Sequence, residues 1–339
     1  MPLIAIDDFR SLLACPSCGS SLIDSIASLV CSDELCGHEY PMIGEPPKPV
    51  LIDRDKSIID VAVLVSSSGA SPVKRTYDGK LNQLALRLLT NRNRVAENYV
   101  NRLATDLVAE TRGRRPRVLI IGGGAVGNGI ESLYQHPDLD LIAFDIYTSD
   151  NVQFLADGHQ LPLRNESVDG VLIQAVLEHV LTPNAVVAEI HRVLRPGGLV
   201  YADTPFMQQV HEGPYDFTRF TESGHRYLFR NFAVRNAGIV AGLGTQLLWS
   251  IVYFSRGINR RAGQIAQLTF FWLPKLDRWL DPMATVDGAS SIYFYGHSST
   301  VSVSPAEIVD YYSGAQQVTA TCLRTSANAD FRRAQKDGR

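Results

Sequence analysis

RVLIIGGGAVGNGIESLYQ, residues 117–135, reads as a strand, a glycine turn and a helix. Val118 to Ile121 form an unbroken apolar run, as a parallel strand covered on both faces requires. Gly122, Gly124 and Gly127 then let the backbone approach a ligand where a helix begins. The next apolar run, DLDLIAFD, is a second strand ending in Asp145, 18 residues after Gly127. A carboxylate at that place can accept two hydrogen bonds from a ribose diol. Gly122-x-Gly124-x-x-Gly127 with a downstream acid is also the spelling of a dinucleotide site. Taken alone, the stretch leaves open a dinucleotide site or a tight α/β turn that binds nothing.

Three later segments narrow the choice. ADGHQLPLRNESVDGVLIQAVLEHV, residues 156–180, places Asp157 after a third strand and a fourth strand at Val168–Gln174, with LEHV behind it. EIHRVLRPGGLVYADTP, residues 189–205, is a helix closed by Arg195-Pro196-Gly197-Gly198 and followed by a fifth strand. This series resembles the class I S-adenosylmethionine-dependent methyltransferases, the type-11 group above all, over about residues 116–232. The resemblance implies a Rossmann-like α/β fold, a mostly parallel seven-stranded sheet with an antiparallel last strand. It implies that the loop of Gly122, Gly124 and Gly127 faces the methionine part of S-adenosyl-L-methionine. Asp145, with Ile146 beside it, would take the ribose hydroxyls, and Asp157 with Gly158 the adenine. Gln174 and Ala175, followed by Val176, would line the other side.

The chain departs from that pattern twice. Many members of the group carry an acid two residues before the first glycine, where this chain has Ile120. Between Asp145 and Val152 only six residues remain, whereas a parallel crossover usually needs at least ~10–12. The helix expected there has no room. The amphipathic stretch Leu81–Glu110, with Leu81, Leu84, Leu88, Val100, Leu103 and Leu107 at helical spacing, is expected to cover the gap instead. Its arginines, Arg87, Arg92, Arg94 and Arg102, read as a phosphate-binding face or as the wet side of the helix.

Four of the five cysteines lie between residues 15 and 36, as Cys15-Pro-Ser-Cys18 and, twelve residues on, Cys31-Ser-Asp-Glu-Leu-Cys36. Two knuckles at this separation suit a closed tetrahedral four-thiolate zinc site, which is structural because no position stays open for chemistry. Gly19 and Gly37 follow the second cysteine of each knuckle, where a turn that aims amides at sulfur favours glycine. The second gap is longer than the standard two residues, so His38 competes with Cys36 as fourth ligand; the reading favours Cys36. LLACPSCGSSL followed by LVCSDELCGHEYPMIGEPPKPVLID resembles the zinc ribbon of the small protein that activates several tRNA and protein methyltransferases. That likeness implies a docking or bracing module, with a protein partner as one use.

The resulting plan is a zinc ribbon at 1–53, a linker with an amphipathic helix at 54–113, a methyltransferase domain at 114–315 and a polar tail at 316–339. Residues 1–53 carry eight acids and two bases, a balance of −6, and residues 54–117 carry thirteen bases and six acids, a balance of +7. Opposite charge of this kind can steer ribbon and linker together. The whole chain of 339 residues has a formal charge of −3, which disfavours a nucleic-acid partner. The start lacks the positive charge of a secretory signal, and the longest apolar run, residues 238–254, is too short and too rich in glycine to span a membrane. The expected location is cytoplasmic.

In the class I fold, ligands bind beyond the carboxyl ends of the parallel strands. The loop after the fifth strand, HEGPYDFTRF at 211–220, therefore faces the methyl group. His211 is the first candidate for general base, with His179 and Tyr215 behind it; Glu178-His179 reads equally as a structural pair. Asp216, Phe217 and Arg219 are candidates for binding a polar substrate, or Asp216 and Arg219 for holding the loop's own shape. His225 is expected to face outward. GIVAGLGT and SSIYFYGHS are expected to pair as the final strands. The insertion 247–282 carries Trp249, Phe270, Phe271, Trp272 and Trp279, expected as core or, as the alternative, as the wall of a hydrophobic pocket. The resemblance points to transfer onto a small-molecule or glycan-type acceptor at oxygen, in a bacterial biosynthetic pathway. An RNA base methyltransferase and a non-enzymatic docking scaffold are the competing readings.

Overall fold

The computed structural model describes residues 3–71 and 92–316. It divides into two compact units, the first Met1–Lys74 with Arg94–Tyr201 and the second Arg75–Asn93 with Ala202–Arg339.

In the first unit, a short helix α1 (Ile6–Phe9) leads into the strands β1 (Leu22–Asp24), β2 (Ser28–Cys31), β3 (Glu39–Ile43) and β4 (Lys48–Leu51). These four pair antiparallel in sequence order. Helices α2 (Val61–Ser66) and α3 (Arg94–Glu110) follow. Then come β5 (Arg117–Ile121), β6 (Asp140–Asp145), β7 (Phe154–Ala156) and β8 (Val168–Gln174). Helix α4 (Pro183–Val193) precedes β9 (Leu194–Pro205), whose last residues belong to the second unit. The strand order is β1-β2-β3-β4-β7-β6-β5-β8-β9. β4 with β7, β7 with β6, β6 with β5 and β5 with β8 all run parallel. The apolar run Val118–Ile121 is buried throughout, the condition anticipated for a central parallel strand.

The cysteine-bearing meander is built into this sheet. Val50 of β4 faces Leu155 of β7 and Leu51 faces Ala156. Leu13 bridges Leu163, and Arg164 Nε donates to the Ser11 carbonyl at 2.9 Å. Residue 53 thus falls inside a unit and not between two.

The short β6–β7 crossover is covered by the linker, though by another helix than expected. Asp60 caps α2 by accepting from the Ala62 and Val63 amides. Val61 and Leu64 then pack with Ile43, Val50, Ile52 and Leu155 in one apolar cluster. The Thr148 amide, in the crossover itself, donates to the Gly69 carbonyl at 2.8 Å. The stretch Leu81–Glu110 does not serve this purpose where it is described, and Leu81, Leu84, Arg87 and Leu88 lie outside the described residues. Its described part, α3, buries Val100, Leu103 and Leu107 against β8 and β9. Leu107 sits where a Cβ on Gly170 would come within 2.6 Å, and Tyr99 stacks on Tyr201. Arg102 is on the wet side, 3.8 Å from Asp106.

A second expectation fails at the glycine turn. No α-helix follows it: residues 122–132 are irregular and only Leu133–Gln135 forms a single 3₁₀ turn. Gly127, Asn128 and Gly129 are poor helix formers, Gly129 holds φ at +91°, and Pro137 closes the segment.

In the second unit, α5 (Glu222–Leu228) precedes β10 (Phe232–Ala241). Helices α6 (Leu243–Ile258), α7 (Arg260–Phe270) and α8 (Pro282–Gly288) intervene before β11 (Ser291–Ser298), and α9 (Pro305–Tyr311) follows. β10 and β11 pair antiparallel, as anticipated for the last strands. His225 does not face outward. It is 2% exposed, with Phe229 5.1 Å away edge-on, and burial drives its pKa down to about 3, so it is neutral. The aromatics expected as core in the insertion are not core either: Phe271, Trp272 and Trp279 are exposed, and Trp249 and Phe270 are half-buried. A two-helix hairpin has one inner face, which Val252, Gly263 and Ala266 already fill.

Candidate functional site

At the carboxyl ends of β5, β6 and β8 three loops close on one another. The Gly122 and Gly123 amides both donate to the Phe144 carbonyl, at 3.1 and 2.9 Å, which curls the turn over β6. Gly122 holds φ at +76°, and a Cβ there would lie 2.3 Å from Val176 Cγ2. A Cβ on Gly127 would lie 2.0 Å from Gln174 Oε1. Gly124 donates its amide to Asp145 Oδ2 at 2.8 Å, while Ile146 donates to Asp145 Oδ1 at 2.7 Å. Asp145 is buried, and both of its oxygens are oriented by backbone. Ala175 adopts φ +52°, a left-handed conformation rare outside glycine, right after β8. Such strain gathers at ligand sites, and Gln174 and Val176 on either side of Ala175 pack against Gly127 and Gly122.

Asp157 and Gly158 follow β7. Asp157 accepts from the His159 ring at 2.6 Å, from the His159 amide at 2.9 Å and from the Ser57 hydroxyl. Burial pushes its carboxyl up, but these hydrogen bonds outweigh it and hold the group below the usual carboxylate range. Ile120, where the resemblance leads one to expect an acid, is plain core.

Sequence reasoning missed Tyr147, Ser57 and Tyr134. Tyr147 lies over Gly124, its ring 2.5 Å from where a Cβ would be. Ser57 comes from the linker, a hundred residues from its partner. Burial and then the Asp145 charge push the Tyr134 phenol up to about 12. Only Tyr147, two residues past the acid, carried any sequence signal.

His179 sits in a 3₁₀ turn (Leu177–His179), its Nε2 3.5 Å from Glu178 Oε1. His211 belongs to the second unit, with Tyr215, Asp216, Phe217 and Arg219. There the loop is bonded to itself. Arg219 donates to both Asp216 oxygens and to the Gln208 and Gln209 carbonyls. The His211 amide donates to Asp216 Oδ2 at 2.9 Å, and His211 Nδ1 lies 3.4 Å from the same oxygen. Burial would raise the Asp216 carboxyl, but Arg219 and the His211 amide hold it at about 2. Asp216 and Arg219 are thereby committed to the loop's shape, whereas Phe217 is exposed and Tyr215 half-buried. The Tyr253 hydroxyl of α6 donates to the Val210 carbonyl at 3.1 Å and pins the loop's start.

The four cysteines converge in the meander, their sulfurs all within 4.8 Å of one another. Cys15 and Cys36 sulfurs are 3.7 Å apart and Cys18 and Cys31 3.4 Å, against the ~3.8 Å edge of a zinc–thiolate tetrahedron. Gly19 and Gly37 hold φ at +80° and +59°. Ser20 hydrogen-bonds the Cys18 sulfur through hydroxyl and amide and lowers that thiol to about 6. The His38 amide likewise meets the Cys36 sulfur. His38 Nδ1 lies 3.2 Å from that sulfur and 3.0 Å from the Cys36 carbonyl, so its ring packs beside the cluster.

Comparison with known proteins bears on the first of these sites. Residues 123–202 match the family described as a methyltransferase domain. The match covers this segment alone, about a quarter of the chain. The segment holds Gly124, Gly127, Asp145, Asp157, Gly158, Gln174 and Ala175, and with the strand order above it makes the fold a Rossmann-like class I methyltransferase. An uncharacterized chloroplastic methyltransferase of Arabidopsis thaliana is 40% identical over 75 residues, 22% of this chain. The chain spans about a fifth of that relative's length. Among solved structures, the chain is similar to phosphoethanolamine N-methyltransferase 2 of Haemonchus contortus with S-adenosyl-L-methionine (14% identity, 75% of this chain and 62% of that one, TM-score 0.40). It is also similar to a complex between the Trm112 methyltransferase activator and a methyltransferase of Haloferax volcanii (17% identity, 61% and 93%, TM-score 0.37).

Proposed function

We propose that the protein is a cytoplasmic S-adenosylmethionine-dependent methyltransferase that acts on a small-molecule or glycan-type acceptor, at oxygen. The observation that carries this is the closure of Gly122, Gly124 and Gly127 against Val176, Asp145 and Gln174 within the methyltransferase domain. A cradle that side chains would fill, with a buried ribose-binding acid, fits S-adenosylmethionine. When bound, that cofactor supplies a methyl group on an already good leaving group. The protein's main task is then alignment, an effect worth up to ~7–11 kcal/mol. Asp145 takes the ribose diol, Asp157 and Gly158 the adenine, and the glycine loop the methionine part.

His211 is the base that takes the acceptor's hydroxyl proton, with its Nδ1 held 3.3 Å from the Gln209 carbonyl and ionised Asp216 3.4 Å away. Tyr215 and Phe217 shape the acceptor's surroundings. A zinc ion held by Cys15, Cys18, Cys31 and Cys36 braces the meander, and through β4 it braces the sheet edge at β7. His211→Ala should lower turnover at least 100-fold, in the range of general acid–base catalysis, with S-adenosylmethionine affinity kept. Equal loss of both would reduce His211 to scaffolding. Labelled S-adenosylmethionine incubated with fractionated extract should label a small-molecule or glycan fraction; label that ribonuclease removes would contradict the acceptor class.

A further inference from the structure

The aromatic insertion presents a surface. Nine large apolar residues between Leu247 and Leu280 are exposed, where soluble surfaces scatter such residues singly. On α6, Leu247, Phe254 and Ile258 recur at helical spacing and share one stripe, as Ile265 and Leu268 do on α7. Phe254 is 78% exposed and Ile258 70%.

The charge beside these stripes has one sign. No carboxylate occurs from residue 223 to residue 276, while Arg256, Arg260, Arg261 and Lys275 are all exposed. The two acids at the far edge are engaged in capping: Asp277 accepts from the Gly242 and Gly244 amides, and Asp281 from the Met283 amide. The cations lie over aromatic rings. Arg256 is 5.0 Å from the Tyr253 ring, Lys275 5.5 Å from Phe271 and Arg278 4.0 Å from Trp279.

Amphipathic helices with aromatic and aliphatic residues on one face and arginine or lysine beside them lie in the interface of a bilayer. Long basic side chains reach the phosphates while their stems cover apolar surface. A second copy of the chain would set like charges against each other. No described helix is long and apolar enough to cross a membrane. We propose that α6, α7 and the turn Leu273–Trp279 dock on the surface of a membrane rich in anionic phospholipid, with Phe254, Ile258, Ile265 and Leu268 in the acyl boundary.

The test is co-sedimentation of the full chain with phosphatidylglycerol–phosphatidylcholine vesicles and with pure phosphatidylcholine vesicles. The protein should pellet with the mixed vesicles and be released by salt. Arg260→Gln, Arg261→Gln and Lys275→Gln together should weaken partitioning on the order of 100-fold, at roughly fivefold per charge. Phe254→Ser with Trp272→Ser should abolish it with the charges intact and the circular dichroism unchanged. Failure to pellet with mixed vesicles at low salt would overturn the proposal, as would wild-type binding by the serine variant. Self-association or capture of an acidic protein, lost in the serine variant while vesicles bind nothing, would reassign the surface and also overturn it.

Discussion

Gly124→Ala tests the cofactor cradle at its tightest point. The new methyl group would lie 2.5 Å from the Tyr147 ring and 2.6 Å from Asp145 Oδ2. The ring can swing aside, but the carboxylate is held by the Gly124 and Ile146 amides and cannot move without losing one of them. Overpacking of this kind costs ~1–3 kcal/mol. Loss of a hydrogen bond to a charged group adds ~1.5–3 kcal/mol. The sum, ~2.5–6 kcal/mol, falls on the residues proposed to hold the ribose. S-adenosylmethionine affinity measured by titration calorimetry should drop on the order of 100-fold to 10,000-fold, at tenfold per 1.4 kcal/mol. Adding Tyr147→Ala should restore part of the loss, because it removes the ring contact, and leave the Asp145 part. Gly197→Ala is the control: a Cβ there meets nothing within 4 Å, and φ of +77° costs only backbone strain near the start of β9. Wild-type affinity in the Gly124→Ala protein, or equal losses in both glycine variants, would refute the reasoning.

Two further outcomes follow from other parts of the molecule. The purified protein should carry one zinc ion per chain by atomic absorption; under the proposed four-thiolate site, Cys36→Ser should release it and His38→Ala should retain it. Glu222, buried beside Tyr311 and Ser313, titrates at about 7, against ~4.3 in the unfolded chain. The native state therefore binds more protons in this window, and its stability falls as pH rises through it, on the order of 3 kcal/mol in all. His225 acts in the opposite sense, losing stability as pH falls from ~6.5 toward about 3. The difference between wild type and Glu222→Gln in denaturant melts between pH 4.5 and pH 8 isolates the first effect; parallel pH profiles would contradict it.

The parallel strands were legible because burial on both faces leaves an unbroken apolar run, as in Val118–Ile121 and, within β8, Val171–Ile173. The cysteine spacing likewise announced a cluster, and the two knuckle glycines announced its turns. What the sequence concealed was long-range. Nothing in GEPPKPVLID shows that Val50 will pair with Leu155, because an edge strand of the meander and an edge strand of the sheet look alike until they meet. Likewise Val61 and Leu64 are too few to declare α2 as the cover of the crossover, while the longer stripe of α3 attracted that assignment and went to β8 and β9. His225 sits between Phe220, Arg226 and Phe229 in a polar helix, and only tertiary packing turns its ring inward. The aromatic insertion misled in the other direction. Apolar composition usually means core, but a hairpin whose inner face is filled by Val252, Gly263 and Ala266 must display the remainder.

On the reading above, the loops after β5, β6 and β8 bind S-adenosylmethionine and not a dinucleotide. Titration calorimetry of the purified chain with S-adenosylmethionine, and separately with NAD, tests it most directly. One S-adenosylmethionine per chain should bind saturably, NAD should give no heat, and binding should be lost in Asp145→Ala, which removes the carboxylate held by the Gly124 and Ile146 amides. Binding of NAD in place of S-adenosylmethionine, or S-adenosylmethionine binding unaffected by Asp145→Ala, would contradict it.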